Sequence, residues 1–295
     1  MRWGMDSMKK IKKELLYSIL AIGMFVLLLV VAGNVRTGVV GVGRGQQTDK
    51  ADIVILGDSI YGMTRDETSV AAKLELLIGK KVLNAALGGT GMGRLEENRG
   101  TSDVKDAFSM VSLSKAIVSG DFRIQENREI TQNGTEYFPE MIAALKKIDF
   151  SEVEILLISH CVNDYHAGEV IYGEDAEDEH TFAGALRSTL TLLQKTYPKL
   201  RIVLLTAPYT WYPHQGLTCE EYVLGGNVLE DYVDAQYAVS EEMDVELIDL
   251  YHGLLPHENW EDWQIYTIDG LHPNEAGREL IARMIAEYLT GHPLP

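Results

Sequence analysis

Five short runs rich in aliphatic and β-branched residues constrain this chain more than anything else in it. They are Asp52–Leu56, Lys81–Ala86, Glu154–His160, Arg201–Thr206 and Val245–Leu250. Amphipathic stretches alternate with them: Glu67–Ile78, Tyr137–Ile148, Thr181–Tyr197 and Val228–Met243, with Glu275–Leu289 last. Apolar strands alternating with helices predict a five-stranded parallel sheet covered on both faces. Residues 93–136 show the least regular pattern and are expected to form an insertion over the sheet.

The 295-residue chain carries 26 Lys and Arg against 44 Asp and Glu, a formal net charge of -18. Neutralising phosphates needs a basic face, so nucleic acid is excluded as a partner. The charge is unevenly placed. Residues 1–14 hold Arg2, Lys9, Lys10, Lys12 and Lys13 against Asp6 and Glu14, a net of +3. Leu15–Val35 follows, 21 residues without a charge. As a helix it spans roughly 30 Å, the hydrocarbon thickness of a bilayer. A signal peptide has a shorter apolar run, about 7–15 residues. Val31-Ala32-Gly33 keeps cleavage open, but the length favours a transmembrane anchor. Basic residues ahead of the span place the N-terminus in the cytoplasm and the rest outside. The expected organisation is a cytoplasmic basic segment (1–14), one transmembrane helix (15–35), a glycine-bearing flexible linker (36–50) and one α/β domain (51–295). The acidic run Glu174–Glu179 reads as a solvated loop.

In open parallel sheets, ligands bind beyond the carboxyl ends of the strands. The residues that follow the first four runs are Gly57-Asp58-Ser59-Ile60, Leu87-Gly88-Gly89-Thr90-Gly91, Cys161-Val162-Asn163-Asp164 and Ala207-Pro208-Tyr209-Thr210-Trp211. Asp269-Gly270-Leu271-His272-Pro273 precedes the last helix. One rim thus gathers a hydroxyl, an imidazole, a carboxylate, an amide and glycine N–H groups. That set suits acyl transfer, which needs a nucleophile, a base, a group orienting the base and oxyanion donors. Paired metal-ligand spacings are missing around Asp58, Asp164, Asp269 and His272, so neither a metal nor a cofactor is expected. Gly89, Gly91 and Gly93 have the wrong spacing for a dinucleotide loop. No serine lies in a G-x-S-x-G elbow, which disfavours the α/β-hydrolase fold.

GDSI, the glycine pair after the second run, VND and DGLHP stand in the order and spacing of one family. From about Asp52 to Leu289 the chain resembles the SGNH (GDSL-type) hydrolase superfamily. The resemblance implies a flavodoxin-like three-layer α/β/α sandwich with a serine esterase or acylhydrolase site. Ser59 then matches the nucleophile, His272 the general base and Asp269 the carboxylate that orients it. The Ser59 N–H, a glycine N–H and the Asn163 side chain match the oxyanion donors. Counting five from Asn84 gives Gly89, with Gly88 as the alternative. The third block departs from the pattern: Cys161 stands where glycine is usual, a side chain expected to narrow the pocket or alter the turn that carries Asn163. Competing structural roles are an N-cap for Ser59, an Asx-turn for Asn163 and a helix-capping turn for Asp269–His272.

Several groups stay open. Two cysteines exclude a disulfide framework, but one Cys161–Cys219 bond is compatible with an extracytoplasmic domain. Tyr209, Trp211, Tyr212 and His214 could line an acyl or sugar site or pack a loop. His160 and His166 flank the third block, and His160 suits packing at a strand end. The expected protein is a membrane-anchored, extracytoplasmic serine esterase acting on a small acyl ester. An O-acetyl group on a glycan suits that location. A lipase or thioesterase for longer chains and a non-catalytic glycan-binding domain are the alternatives.

Overall fold

A computed structural model describes residues 50–94, 104–128 and 135–294. The basic segment, the apolar span 15–35 and most of the linker lie outside the described residues. Among those described, no helix is long and apolar enough to cross a membrane.

In chain order the elements are β1 (Ile53–Gly57), α1 (Ser59–Gly62), α2 (Val70–Ile78), β2 (Val82–Asn84), a 3-10 turn (Val104–Phe108), α3 (Met110–Ser119), α4 (Arg123–Glu126) and α5 (Phe138–Leu145). Then come β3 (Ile155–Ser159), α6 (Val162–Ala167), α7 (Phe182–Thr196), β4 (Arg201–Leu205), a ribbon of β5 (Trp211–Tyr212) and β6 (Leu217–Thr218), α8 (Leu229–Met243) and β7 (Glu246–Ile248). A second 3-10 turn (Trp260–Asp262), α9 (Trp263–Tyr266) and α10 (Glu275–Thr290) complete the fold.

Five strands form one parallel sheet in the order β2-β1-β3-β4-β7. All five residues of β1, and all five of β3, are buried. Burial on both faces explains why these strands read as unbroken apolar runs. The chain steps one way from β1 to β2 and the opposite way from β3 through β4 to β7. Right-handed crossovers then put α2 on one face and α7 and α8 on the other. The helix contacts agree: α10 packs along α2, and α7 packs against both α3 and α8. Side chains set where the helices start. Ser69, Ser109, Thr181 and Asn274 each accept a backbone N–H from the first turn that follows.

Within 93–136, the described residues 104–128 differ from the expectation of an insertion. They supply α3, which buries Met110, Val111, Leu113, Ser114, Ala116 and Ile117 and completes a helical layer. Serine hid the pattern: Ser114 occupies a buried position and donates its hydroxyl to Val111 O within the same helix.

The topology creates one place for a site. The chain leaves β1 for β2 on one side and returns to β3 on the other, so β1 and β3 flank the point where strand order reverses. Gly57 at the end of β1 pairs with Ser159 at the end of β3. Leu87 N–H, beyond β2, donates to Gly57 O at 2.8 Å. The segments carrying Ser59, Gly89 and Asn163 therefore leave the sheet side by side.

Candidate active site

Ser59 is the first residue of α1, directly after β1. Asp58 caps that short helix by accepting the Ile60 N–H at 2.9 Å. The capping role proposed for Ser59 thus falls to its neighbour. The Ser59 hydroxyl lies 2.9 Å from His272 Nε2. His272 Nδ1 lies 2.7 Å from Asp269 Oδ2, and Asp269 Oδ1 accepts the Leu271 and His272 N–H groups at 3.0 and 2.8 Å. Residues 213 positions apart thus form one hydrogen-bonded line.

Asp269 is half exposed. Burial pushes its carboxyl up, but the amides of His272 and Leu271 and the imidazole outweigh this and hold it below the usual carboxylate range. The turn is built for the geometry. Gly270 has φ of 95°, and a Cβ there would come 2.4 Å from Trp211 O. Trp211 N–H donates to Gly270 O at 2.8 Å, which fastens the β5–β6 ribbon to the turn. Asn274 caps α10, accepting the Ala276 and Gly277 N–H groups. Capping and triad geometry coexist in one segment, with Asn274 taking the cap.

The candidate oxyanion donors come from three segments. Among the described residues, no group accepts the Ser59 or Gly89 N–H. Gly89 adopts φ of 72°, the left-handed region that favours glycine. The alternative, Gly88, donates its N–H to Tyr137 Oη at 2.7 Å and is spent. Asn163 is the second residue of α6. Its Nδ2 donates to Thr90 O at 3.0 Å and lies 3.4 Å from Asp58 Oδ2. Among the described residues no backbone N–H donates to Asn163 Oδ1, so no Asx-turn forms, and Nδ2 bridges to other segments. Cys161 in the glycine position does not prevent this contact.

Two buried carboxylates underlie the rim. Burial pushes the Asp58 carboxyl up to about 7, against the Ile60 amide and the His272 charge, which favour ionisation. Asp164 accepts the Met92 N–H at 2.8 Å and the Gly93 N–H at 3.0 Å, pinning the glycine-rich turn to α6. Burial pushes it up to about 6 despite those amides.

Arg65 and Tyr137 brace the same turn from below. The guanidinium carbon lies 4.0 Å from the Tyr137 ring centre, and the guanidinium donates to Asn84 O at 2.9 Å and also to Ala86 O. Sequence reasoning missed both residues; Tyr137 lies 49 positions from the amide it holds. Asp58 and Asp164 lay inside motifs already singled out, and the glycines spaced before Met92 and Gly93 were the visible signal for Asp164.

The other candidates separate. Cys161 and Cys219 are free and buried, so the open disulfide is not formed. Burial pushes the Cys161 thiol well above its ordinary range, so it stays a thiol and not a thiolate. His160 is buried at the end of β3, 3.3 Å from Thr90 Oγ1, and burial pulls it down to about 3, so it stays neutral. Tyr209 and Trp211 are buried packing residues, and His214 is exposed. His166 and Tyr212 meet at 2.8 Å.

Comparison with known proteins bears on the fold and the family. The sequence profile described as the GDSL-like lipase/acylhydrolase family matches residues 55–280. A crystal structure of a Lactobacillus plantarum protein is similar at TM-score 0.57 and 21% identity, covering 83% of this chain and 98% of that one. A possible lipase from Chitinophaga pinensis is similar at TM-score 0.54 and 15% identity, covering 82% and 98%. An acetyl xylan esterase is similar at TM-score 0.50 and 15% identity, covering 80% and 99%. At these identities the likeness shows the fold alone. No curated protein sequence matches.

Proposed function

The chain belongs to the GDSL-like lipase/acylhydrolase family and is an ester-hydrolysing serine hydrolase; from that premise we propose that it removes small acyl groups, O-acetyl groups on carbohydrate, through Ser59, His272 and Asp269, in a domain held outside the cytoplasm by the apolar span 15–35. The observation that carries this reading is the line from Asp269 through His272 to Ser59.

His272 Nε2 takes the Ser59 proton as Oγ attacks the ester carbonyl. Asp269 on Nδ1 fixes the tautomer that leaves Nε2 free to accept, and stabilises the imidazolium that forms. Negative charge gathers on the carbonyl oxygen, where the N–H groups of Ser59 and Gly89 and the Asn163 amide receive it. The second N–H of Asn163 holds only the long contact to Asp58, so it can turn to the oxyanion. Each such donor contributes about 2.7–4 kcal/mol to lowering the barrier. The imidazolium then protonates the departing alcohol oxygen. Water, activated by the same nitrogen, releases the acid from the acyl-enzyme and restores Ser59.

The acetylated carbohydrate is supported by the proposed location and by an acetyl xylan esterase among the similar folds. The anchor is supported by the 21 uncharged residues behind a basic segment. Acetate release from acetylated xylan tests the reaction. The expected result is a loss of at least about 10³-fold in Ser59→Ala, and equal activity in that variant refutes the mechanism. Retention of the full chain in the membrane pellet after alkaline extraction tests the anchor.

A further inference from the structure

His166 and Tyr212 have no part in the reaction just described, yet they stand beside it. His166 is one turn beyond Asn163 on α6, at the i, i+3 spacing that puts both on one helical face. Tyr212 is on the ribbon that Trp211 fastens to Gly270, between Asp269 and His272. The 2.8 Å contact between His166 Nε2 and Tyr212 Oη therefore bridges the wall carrying the oxyanion amide and the wall carrying the general base. The rings meet edge to face, with centres 5.6 Å apart, and the Tyr222 ring lies 4.8 Å beyond Tyr212. Partial desolvation by its neighbours, and then the charge on His272, hold the solvent-exposed His166 imidazole below its ordinary range. The imidazole is thus neutral and close to the triad.

Thr210 Oγ1 lies 3.5 Å from Tyr212 Oη, and Tyr165 also shares that hydroxyl. With Tyr212 donating to His166 Nε2, the N–H at Nδ1 of His166 remains as a donor in reserve. The general base hands its proton to the leaving oxygen, so the leaving alcohol departs on the His272 side. A spare donor set among aromatic rings on that side matches a hydroxyl-bearing ring, which offers acceptors at its edge and C–H groups on its face.

We propose that His166 and Tyr212 form a subsite for the alcohol half of the substrate, and that this half is a sugar ring bearing hydroxyls next to the ester. The proposal rests on the carbohydrate-ester reading above and assigns the residues that select it. The test uses the full chain with two acetyl esters, O-acetylated xylo-oligosaccharide and 4-nitrophenyl acetate, which lacks a hydroxylated alcohol. Tyr212→Phe and His166→Ala are each expected to lower the ratio of kcat/KM on the sugar ester to kcat/KM on the nitrophenyl ester by about tenfold. The double variant is expected to fall little further, because the two side chains act as one unit. An unchanged ratio in both variants overturns the proposal, whether activity falls equally on both esters or on neither. Wild-type hydrolysis of the nitrophenyl ester alone also overturns it and leaves the esterase reading standing. Full activity in Ser59→Ala refutes the esterase reading instead.

Discussion

Replacing Asp58 by Asn should make the protein more stable, and the gain should grow with pH. Asp58 is 2% exposed, and its carboxyl lies at about 7 against an ordinary 3.8. Between those two values the folded chain holds a proton on Asp58 that the unfolded chain has released. Stability from this group is therefore complete below 3.8 and is lost as pH rises through 7. The interval is about three units, and each unit corresponds to 1.36 kcal/mol, so the loss is on the order of 4 kcal/mol. Asn mimics the protonated acid: its Oδ1 can still accept the Ile60 N–H that caps α1. The variant should show none of this loss.

Other groups titrate across the same range. His160, pulled down to about 3, destabilises the fold as pH falls below 6.5, which opposes the Asp58 effect. His160 is present in both proteins, so its contribution cancels in the difference between them. Asp164 raises Asp58 through its charge, and losing the Asp58 charge eases Asp164 in turn, which adds to the gain. The assay is urea unfolding of both proteins from pH 4 to pH 8 at fixed salt. The variant's advantage should rise by about 4 kcal/mol across that range, mostly below pH 7. An advantage constant to within about 0.5 kcal/mol, or one that shrinks with pH, would show that Asp58 is not a buried acid of raised pKa.

Three further substitutions probe the site. Asp269→Asn should lower kcat about 10²–10³-fold, less than for a fully buried triad because half the carboxylate faces water, with circular dichroism unchanged. Tyr137→Phe strands the Gly88 N–H at a cost of about 1–3 kcal/mol. It should lower kcat about three- to tenfold with KM within about twofold, and an unchanged kcat would show that the brace does not hold the oxyanion turn. Gly270→Ala forces φ of 95° and a Cβ 2.4 Å from Trp211 O. It should cost at least about 2 kcal/mol in urea unfolding and remove activity with it.

How much of this was legible in the sequence depended on how far apart the interacting residues lie. Ile53–Gly57 and Ile155–Ser159 were readable because burial on both faces leaves no charged position in them. The helix Met110–Ser119 was not, because a serine that satisfies its own hydroxyl can fill a core position. Asp269 and His272 were readable because three residues suffice to bring a carboxylate onto an imidazole. Choosing between Gly88 and Gly89 was impossible locally, since either amide can serve a turn. What distinguishes them is Tyr137, which occupies the Gly88 N–H from 49 residues away and leaves Gly89 as the candidate.

The same distance argument separates reaction from selectivity in this fold. Parallel strands of fixed register deliver Ser59 and Asn163 to one rim, and a single turn delivers His272, so the proposed reacting groups depend on short motifs at strand ends. His166 and Tyr212 depend on where an irregular ribbon is fastened, 46 residues from the helix it meets. The fastening is one backbone hydrogen bond to Gly270, inside the turn that carries the base. If the proposed subsite holds, substrate choice can change through the ribbon while the motifs stay constant, whereas a shift at Gly270 moves the imidazole and the His166–Tyr212 pair together. Substitutions at Tyr212 should accordingly change which ester is preferred, and substitutions at Gly270 should lower the rate on every ester alike.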